Sequence, residues 1–303
     1  MTLDDDWFRV EDLGEGVRCL SEPGYANMFL VEGRDRAVLF DTGIGVRDLA
    51  AVVSRLTALP LTVVNSHAHF DHRGGNHRLV DRAEAFLVHP AGPAHHHAVP
   101  AELLDATRTA SAGLPRALSD ARAADALHAL PADLRMRAID DATVQGPWQI
   151  PEVAPTGVLE DGEPLDLGGR VLRAVHTPGH TEDSLCLFEE ATGLLLAGDC
   201  VLESDYFVHL PGADPERFAA SLRRLEGLPI RRVAVGHNVR PTVRPEMIGL
   251  LRRALEEVTA GRTPDDTITG PYGVRTSRHA FDGFRLLMPP TDGVQTPAWD
   301  LWR

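Results

Sequence analysis

Four potential metal ligands lie within residues 67–72 of this chain, in the sequence HAHFDH. Imidazole nitrogens and carboxylate oxygens are the ligands that a borderline cation such as Zn²⁺ accepts. Because four ligands this close would crowd one ion, the spacing predicts two adjacent metals, with His67 and His69 facing one and Asp71 and His72 the other. The alternative interpretation is a polar loop whose histidines serve turns or the protein surface.

The residues on either side of this motif indicate where it lies in the fold. Residues 60–66 (PLTVVNS) form a short apolar, β-branched run, which predicts a buried strand. Gly74 and Gly75 follow the motif and free the backbone to turn. A ligand cluster just past the end of a buried strand lies where layered α/β proteins usually carry their active sites.

Three further candidate ligands each follow a short apolar run. His180 ends the motif TPGH, Asp199 follows the run GLLLAG, and His237 follows RVAVG. A lone ionisable residue is weak evidence for a site. Three in the same context, beside the first cluster, favour one shared metal centre.

Four motifs, taken in order, resemble those of the metallo-β-lactamase-fold hydrolases. They are HAHFDH, TPGH, the GD after LLLA and the GH after RRVAV. The resemblance extends from about residue 16 to about residue 257. It implies an α/β fold, an αββα four-layer sandwich of two similar halves. The expected site is dinuclear and lies at one edge of the molecule, between the sheets.

The resemblance assigns seven ligands to two divalent metal ions, which are expected to be zinc, with iron or manganese as alternatives. The ligands implied are His67, His69 and His180 for the first metal and Asp71, His72 and His237 for the second. Asp199 resembles the carboxylate that bridges the two metals. Asp71 is in addition the residue expected to act in catalysis.

The chemistry expected of such a centre is hydrolysis. Two divalent cations that share a water lower its pKa and supply a bridging hydroxide at neutral pH, and one of them can polarise the group under attack. The chain has no GxSxG motif and no GxGxxG or Walker-type loop. We therefore expect neither a serine nucleophile nor a nucleotide cofactor.

The residues around the candidate ligands narrow the range of expected substrates. The stretch TPGHTEDS, with the later GD and LRRL, is similar to the acyl-CoA thioesterase-like branch of the family. It implies a small-molecule substrate cleaved at a carboxylic ester bond, with a thioester first and a lactone second. Lactonases and several thioesterase-like members carry a tyrosine three residues after the bridging aspartate. Here that position is Leu202, and Tyr206 is displaced.

Other functions stay open. Class B1 and B3 β-lactamases have a cysteine and a serine at the position of Asp199, so β-lactam hydrolysis is expected only as a side activity. A phosphodiesterase or nuclease is the main alternative, but the formal net charge of −14 disfavours a nucleic-acid partner. A non-catalytic binding module is disfavoured because all seven ligand positions are filled.

The chain alternates short strands and helices. One helix is expected at residues 76–84, and another runs to about residue 226, with Asp214 as its N-cap and Pro215 at its first position. Two segments depart from this alternation. Residues 90–155 form a helical insertion, with helices expected at 101–112, 117–130 and 133–142, that either overhangs the metals or packs away from them. Its apolar residues are candidates to wall an acyl pocket: Leu103, Leu104, Leu114, Leu118, Leu127, Leu130 and Trp148. An exposed polar turn is expected at residues 95–97 (HHH), with a metal-binding role for these histidines as the alternative.

The domain prediction is one catalytic domain over residues 1–260, followed at 261–303 by a strand near 274–289 and an extended tail. The tail carries Trp299 and Trp302 and is expected to pack on the same domain or on a second subunit, which leaves a homodimer open. The chain shows no basic, apolar leader and no apolar run of transmembrane length. Its three scattered cysteines indicate a reducing compartment, so a cytoplasmic location and no membrane partner are expected.

Overall fold

The computed structural model describes residues 7–123, 134–144, 147–269 and 274–290. The first sheet carries the N-terminal half and has seven strands in the order of the chain. They are β1 (Arg9–Gly14), β2 (Val17–Glu22), β3 (Ala26–Glu32), β4 (Ala37–Phe40), β5 (Leu61–Val64), β6 (Ala83–Val88) and β7 (Gly157–Val158). Strands β1 to β4 pair antiparallel, and β4 to β7 pair parallel.

The second sheet has six strands from the C-terminal half, in the order β14-β13-β11-β10-β9-β8. They are β8 (Pro164–Asp166), β9 (Val171–His176), β10 (Leu185–Glu189), β11 (Leu194–Leu196), β13 (Arg232–Ala234) and β14 (Thr242–Val243), with β12 (Asp205–Phe207) lying outside this sheet. Only β11 and β13 are parallel. Their carboxyl ends therefore point the same way.

The six helices in the described ranges flank these sheets. They are α1 (Leu49–Leu56), α2 (Phe70–Arg73), α3 (Ala101–Ser111), α4 (Leu114–Ala123), α5 (Pro215–Glu226) and α6 (Glu246–Thr259). The start of α5 is as the sequence predicts: Asp214 is the N-cap, its carboxylate accepts from the N–H groups of Glu216 and Arg217, and Pro215 occupies the first turn. None of the helices in these ranges has the length and apolar character of a membrane span.

Three buried clusters show the layering. One lies between the two sheets and joins side chains of the first, such as Phe29 and Phe40, to side chains of the second, such as Leu187 and Leu196. The outer face of the first sheet packs against α1 and part of the insertion. The outer face of the second packs against α5 and α6. The predicted αββα sandwich is confirmed.

The helix predicted for residues 76–84 is wrong. A single 3₁₀ turn covers Asn76–Arg78, and β6 already begins at Ala83. The side chain of Asn76 is held by Thr42, whose Oγ1 donates to its Oδ1 at 2.8 Å, and by reciprocal amide hydrogen bonds with Asn65. These tertiary hydrogen bonds outweigh the weak local preference for helix.

The insertion is less helical than its composition predicts. α3 is confirmed, α4 begins three residues earlier than predicted, and no helix forms over residues 134–142. There, Asp140 Oδ1 accepts from the backbone N–H groups of Ala142 and Thr143, which stabilises a turn in place of a helix. The predicted stretch from 124 to 133, with Leu127 and Leu130, lies outside the described residues.

The single strand predicted near residues 274–289 is two strands in the structure. β16 (Arg275–Phe281) and β17 (Phe284–Met288) make an antiparallel hairpin, with Gly283 at φ +85° in the turn. β15 (Asp266–Thr269) adds to β16, and β12 pairs with β17. The segment is thus hydrogen-bonded to the rest of the chain. The tail with Trp299 and Trp302 lies outside the described residues.

Candidate metal centre

The seven predicted ligands meet at one edge of the sandwich, because each follows the end of a strand. His67 and His69 come after β5, and α2 then carries the next two, Asp71 and His72. His180, Asp199 and His237 follow β9, β11 and β13. The alternative of a polar surface loop does not fit, since His67, His72 and His180 are buried.

The side chains form three overlapping groups in which the potential ligand atoms lie within 4.8 Å of one another. These groups are His67 with His69 and His180, His67 with His72 and Asp199, and Asp71 with His72 and His237. The first and third correspond to the two triads implied by the sequence. The second shares His67 with the first and His72 with the third, and it adds Asp199.

The distances place Asp199 between the two triads. Its Oδ1 lies 3.3 Å from His72 Nε2 and 3.2 Å from His237 Nε2, and its Oδ2 lies 3.5 Å from His180 Nε2. His180 Nε2 is also 3.1 Å from His69 Nδ1. One carboxylate therefore faces ligands of both groups.

The outward-facing nitrogens of three histidines are held by acceptors. His180 Nδ1 lies 3.1 Å from the carbonyl of Phe207, and His237 Nδ1 contacts the carbonyl of Tyr25. Since a carbonyl only accepts, each Nδ1 carries the hydrogen and donates it, which leaves each Nε2 a lone pair directed at the centre. His72 Nδ1 is 2.8 Å from Asp41 Oδ2.

Asp41 was not singled out in the sequence. It is fully buried at φ +65°, and its carboxylate accepts from the backbone N–H of Ser66 at 2.6 Å and from Ser66 Oγ at 2.8 Å. It thereby positions both His72 and the strand end that carries His67. Its position directly after the buried strand β4 was the available indication, because a buried carboxylate requires partners.

The centre fits a divalent cation. His67 Nε2 is buried among the other ligands and has no hydrogen-bond partner within the described ranges, which is unusual unless an ion occupies the position. Gly236 lines the centre, and a Cβ there would lie 2.8 Å from Asp199 Oδ1 and 2.9 Å from His72 Cε1. The absence of a side chain at Gly236 thus keeps the ligands in place.

The electrostatics favour cation binding as well. Burial lowers the pKa of His67 and His69 well below its usual value, and the neighbouring imidazoles add to this effect. Burial also acts to lower the pKa of His72 and His237, but the nearby carboxylates, Asp199 foremost, together outweigh it and raise both. Burial acts to raise the pKa of Asp199, yet these two imidazoles hold it well below its usual value. A cation would replace the protons held by the cluster.

A cavity of about 320 Å³ lies over the centre. Asp71 and His237 face it together with Thr107 of the insertion, so at least part of the insertion borders the site. Tyr206 also lines the cavity, but its hydroxyl contacts the backbone N–H and carbonyl of Leu202. This tyrosine therefore supports the loop after Asp199.

Residues 95–97 lie beside a different cavity. His95 and His97 are exposed, as expected of a polar turn, but His96 is buried at 2 % exposure. The prediction of an exposed turn is therefore wrong for His96. None of the three belongs to the groups of potential metal ligands found among the described residues.

Comparison with known proteins identifies the family. Residues 21–237 match the model of the metallo-β-lactamase superfamily, and they contain all seven ligands. This chain belongs to the metallo-β-lactamase superfamily. It is 30 % identical to the acyl-coenzyme A thioesterase MBLAC2 of Bos taurus over 254 residues, which cover 77 % of this chain and 81 % of that protein. The human protein of the same name is 29 % identical over the same shares.

Solved structures agree in fold. A metallo-β-lactamase family protein from Thermus thermophilus is 24 % identical with a TM-score of 0.53, covering 82 % of this chain and 80 % of that one. The superfamily match and the thioesterase relatives make the protein a metal-dependent hydrolase of a small-molecule substrate.

Proposed function

We propose that this superfamily member is a dinuclear, zinc-dependent thioesterase that hydrolyses acyl-coenzyme A or a similar acyl thioester. The observation that carries the proposal is the similarity to acyl-coenzyme A thioesterases over 77 % of the chain, in a protein with a complete His and Asp cluster. A lactone is the second substrate class, since it presents the same carboxylic ester carbonyl. The phosphodiester alternative has less support because the chain is strongly acidic.

One ion would be held by His67, His69 and His180. The other would be held by Asp71, His72 and His237, and Asp199 would lie between the two groups. Bound divalent cations supply Lewis-acid chemistry, which makes water nucleophilic at neutral pH and polarises the carbonyl under attack. Their expected identity is zinc because imidazole and carboxylate are its ligands, with iron or manganese as alternatives.

The chain's own contribution is to position these groups and to move a proton. The carbonyls of Phe207 and Tyr25 and the carboxylate of Asp41 orient three imidazoles. The proposed catalytic residue is Asp71. It is partly exposed to the cavity, and its Oδ2 lies 3.5 Å from His237 Nε2. Its carboxylate can accept a proton from the water as the water oxygen bonds to the carbonyl carbon. It can then return that proton to the thiolate sulfur when the carbon–sulfur bond breaks, so that a carboxylic acid and a thiol are released.

The proposal extends to partners and location. We propose residues 1–260 as the catalytic domain and 261–303 as a segment packed on it, with no nucleic-acid or membrane partner and with a homodimer as the alternative to a monomer. Cys19, Cys186 and Cys200 are all free thiols, which favours a cytoplasmic location.

Steady-state kinetics tests the substrate class. We expect kcat/KM to be highest for an acyl-coenzyme A, lower for a γ- or δ-lactone and lowest for bis(p-nitrophenyl) phosphate and a β-lactam. A chelator should abolish every activity, and zinc should restore it. Fastest hydrolysis of the phosphodiester would overturn the thioesterase assignment in favour of a phosphodiesterase.

A further inference from the structure

A second cavity continues from the one over the metal centre. It has a volume of about 520 Å³, within the range of small-molecule sites, and shares five lining residues with the first cavity. The shared residues are Gly24, Tyr25, Ser204, His237 and Arg285. The two cavities therefore adjoin at these five residues.

One wall of this second cavity is apolar and comes from the insertion. Leu114, Ala117 and Leu118 lie on one face of α4, because residues three and four apart share a face of a helix. Met136, from the segment after α4, completes this wall. Leu118 is 8 % exposed and is therefore almost wholly enclosed.

Another part of the lining is the turn between β2 and β3, whose Gly24 lies near Leu114 and Met136. A Cβ at Gly24 would lie 3.3 Å from Leu114 Cδ1 and 3.4 Å from Met136 Sδ. Two polar side chains in this part of the lining, Glu22 and Asn27, are hydrogen-bonded within the protein. Glu22 accepts from Trp7 Nε1 at 2.8 Å and from the N–H of Ile44 at 2.7 Å, and Asn27 Nδ2 donates to the carbonyls of Val235 and Asn238.

A third cavity, of about 360 Å³, borders the centre at His69 and has a different character. Arg73, His95, Glu182 and Asp183 line it. Asp183 is 3 % exposed, and its Oδ2 has no hydrogen-bond partner among the described residues. An alkyl chain there would leave charged groups without solvent, so the second cavity is the better environment for it.

We propose that the cavity between α4 and the β2–β3 turn binds the acyl chain of the substrate, and that α4 sets the accepted chain length. This proposal rests on the thioesterase function proposed above. Among the predicted pocket residues, Leu114 and Leu118 line the acyl cavity. Leu104 and Trp148 belong to the core of the first sheet, and Leu103 lies at the third cavity.

Tryptophan substitutions at two matched alanine positions, with a third at Met136, test the proposal. Ala117 and Ala98 are both exposed, and they line the second and the third cavity respectively. Ala117→Trp fills the acyl cavity from α4, and Met136→Trp fills it from another element, so that one variant can decide if the other does not fold. Ala98→Trp places the same bulk in the third cavity.

The measurement is kcat/KM for acetyl-, octanoyl- and palmitoyl-coenzyme A. We expect Ala117→Trp and Met136→Trp to lower the palmitoyl-to-acetyl ratio by about tenfold or more, because each methylene kept out of an apolar site weakens binding. We expect Ala98→Trp to leave that ratio within about twofold. A ratio that is unchanged in the first two variants, or that falls only in Ala98→Trp, would overturn the proposal.

A binding measurement tests the acyl cavity independently of the proposed thioesterase activity. Calorimetric titration of dodecanoate, which presents an acyl chain without a thioester, should show about tenfold weaker affinity for Ala117→Trp than for wild type and for Ala98→Trp. Wild type that hydrolyses no thioester yet shows this difference would refute the thioesterase function and support the acyl cavity. Equal dodecanoate affinity in all three proteins would refute the acyl cavity, whatever the hydrolysis results.

Discussion

At the scale of single residues, Asp199 joins the two triads of the centre. Its carboxylate oxygens face His72 and His237 on one side and His180 on the other. No apolar cluster in the described part of the chain includes it, so its charge serves the ligands and contributes little to the packed core.

We predict that Asp199→Asn lowers kcat/KM by about 100-fold or more and weakens the binding of at least one metal, because the charge between the triads is lost. The circular dichroism spectrum should remain that of wild type. Asp161→Asn is the matched control, since Asp161 is partly exposed and pairs with Arg224 away from the centre. Near-normal turnover by Asp199→Asn would contradict the assignment.

His96 gives a prediction about pH. Burial lowers its pKa to about 3, and the neighbouring Arg73, His95 and His97 act in the same direction. Neither ring nitrogen has a hydrogen-bond partner within the described ranges. Because the unfolded chain binds the proton near pH 6.5 and the folded chain only near pH 3, stability is lost as the pH falls below 6.5.

His96→Phe should remove this loss. Between pH 8 and pH 5, the free energy of unfolding of wild type should fall by about 2 kcal/mol more than that of the variant. Urea unfolding at the two pH values measures the difference. An identical pH dependence in both proteins would show that His96 titrates normally in the fold.

At the scale of elements, the strand-end loops carry the ligands and are anchored to the layers behind them. The loop before His180 is an example. The N–H of Asp214 donates to the carbonyl of Gly179 at 2.7 Å, and Ser221 Oγ of α5 donates to the carbonyl of Pro178 at 2.7 Å. Helix α5 therefore determines where His180 enters the centre.

Gly179 permits this close approach. Its φ is +145°, and a Cβ there would lie 2.2 Å from Phe218 Cα of α5. We predict that Gly179→Ala destabilises the fold by about 3 kcal/mol or more, since the backbone of α5 must move, and that it also reduces metal affinity.

Gly162→Ala is the matched control for this prediction. Gly162 also has positive φ, at +80°, but a Cβ there meets nothing within 4 Å. Backbone strain alone should then cost about 1 kcal/mol and leave metal affinity unchanged. Chemical denaturation and zinc titration of both variants make the comparison, and equal destabilisation would mean that contact with α5 is unimportant.

At the scale of the whole molecule, the centre connects the two halves of the sandwich. The ligands in residues 67–72 follow a strand of the first sheet, and the other three follow strands of the second. Metal held by these candidate ligands would contact both halves and stabilise the folded state relative to the unfolded chain, in which the ligands are far apart.

We predict close to two metal ions per chain in protein purified without a chelator, measured by elemental analysis. Removing them should lower the melting temperature, because a ligand at about 100 times its Kd contributes roughly 2.7 kcal/mol. A chelator already saturated with zinc is the control, and readdition of zinc should restore the transition. A content near one with full activity would contradict a dinuclear centre.

The sequence predicted the sandwich through its resemblance to the family, and it indicated the candidate ligands for a local reason. Each of His67, His180, Asp199 and His237 stands directly after an apolar run, and a strand end is recognisable without knowledge of its neighbours. The same holds for the N-terminus of α5, where Asp214 and Pro215 are capping residues in any context.

Only the tertiary structure decided what depends on residues distant in sequence. The tether of His72 to Asp41 spans 31 positions, and the contacts that hold Asn76 in a 3₁₀ turn reach back to Thr42. The assignment of Leu114 and Leu118 to a cavity, and of Leu104 to the core, depends on how α3 and α4 meet the first sheet. Local propensity and periodicity show which face of a helix is apolar, but packing across the molecule determines whether that face meets a sheet or lines a cavity.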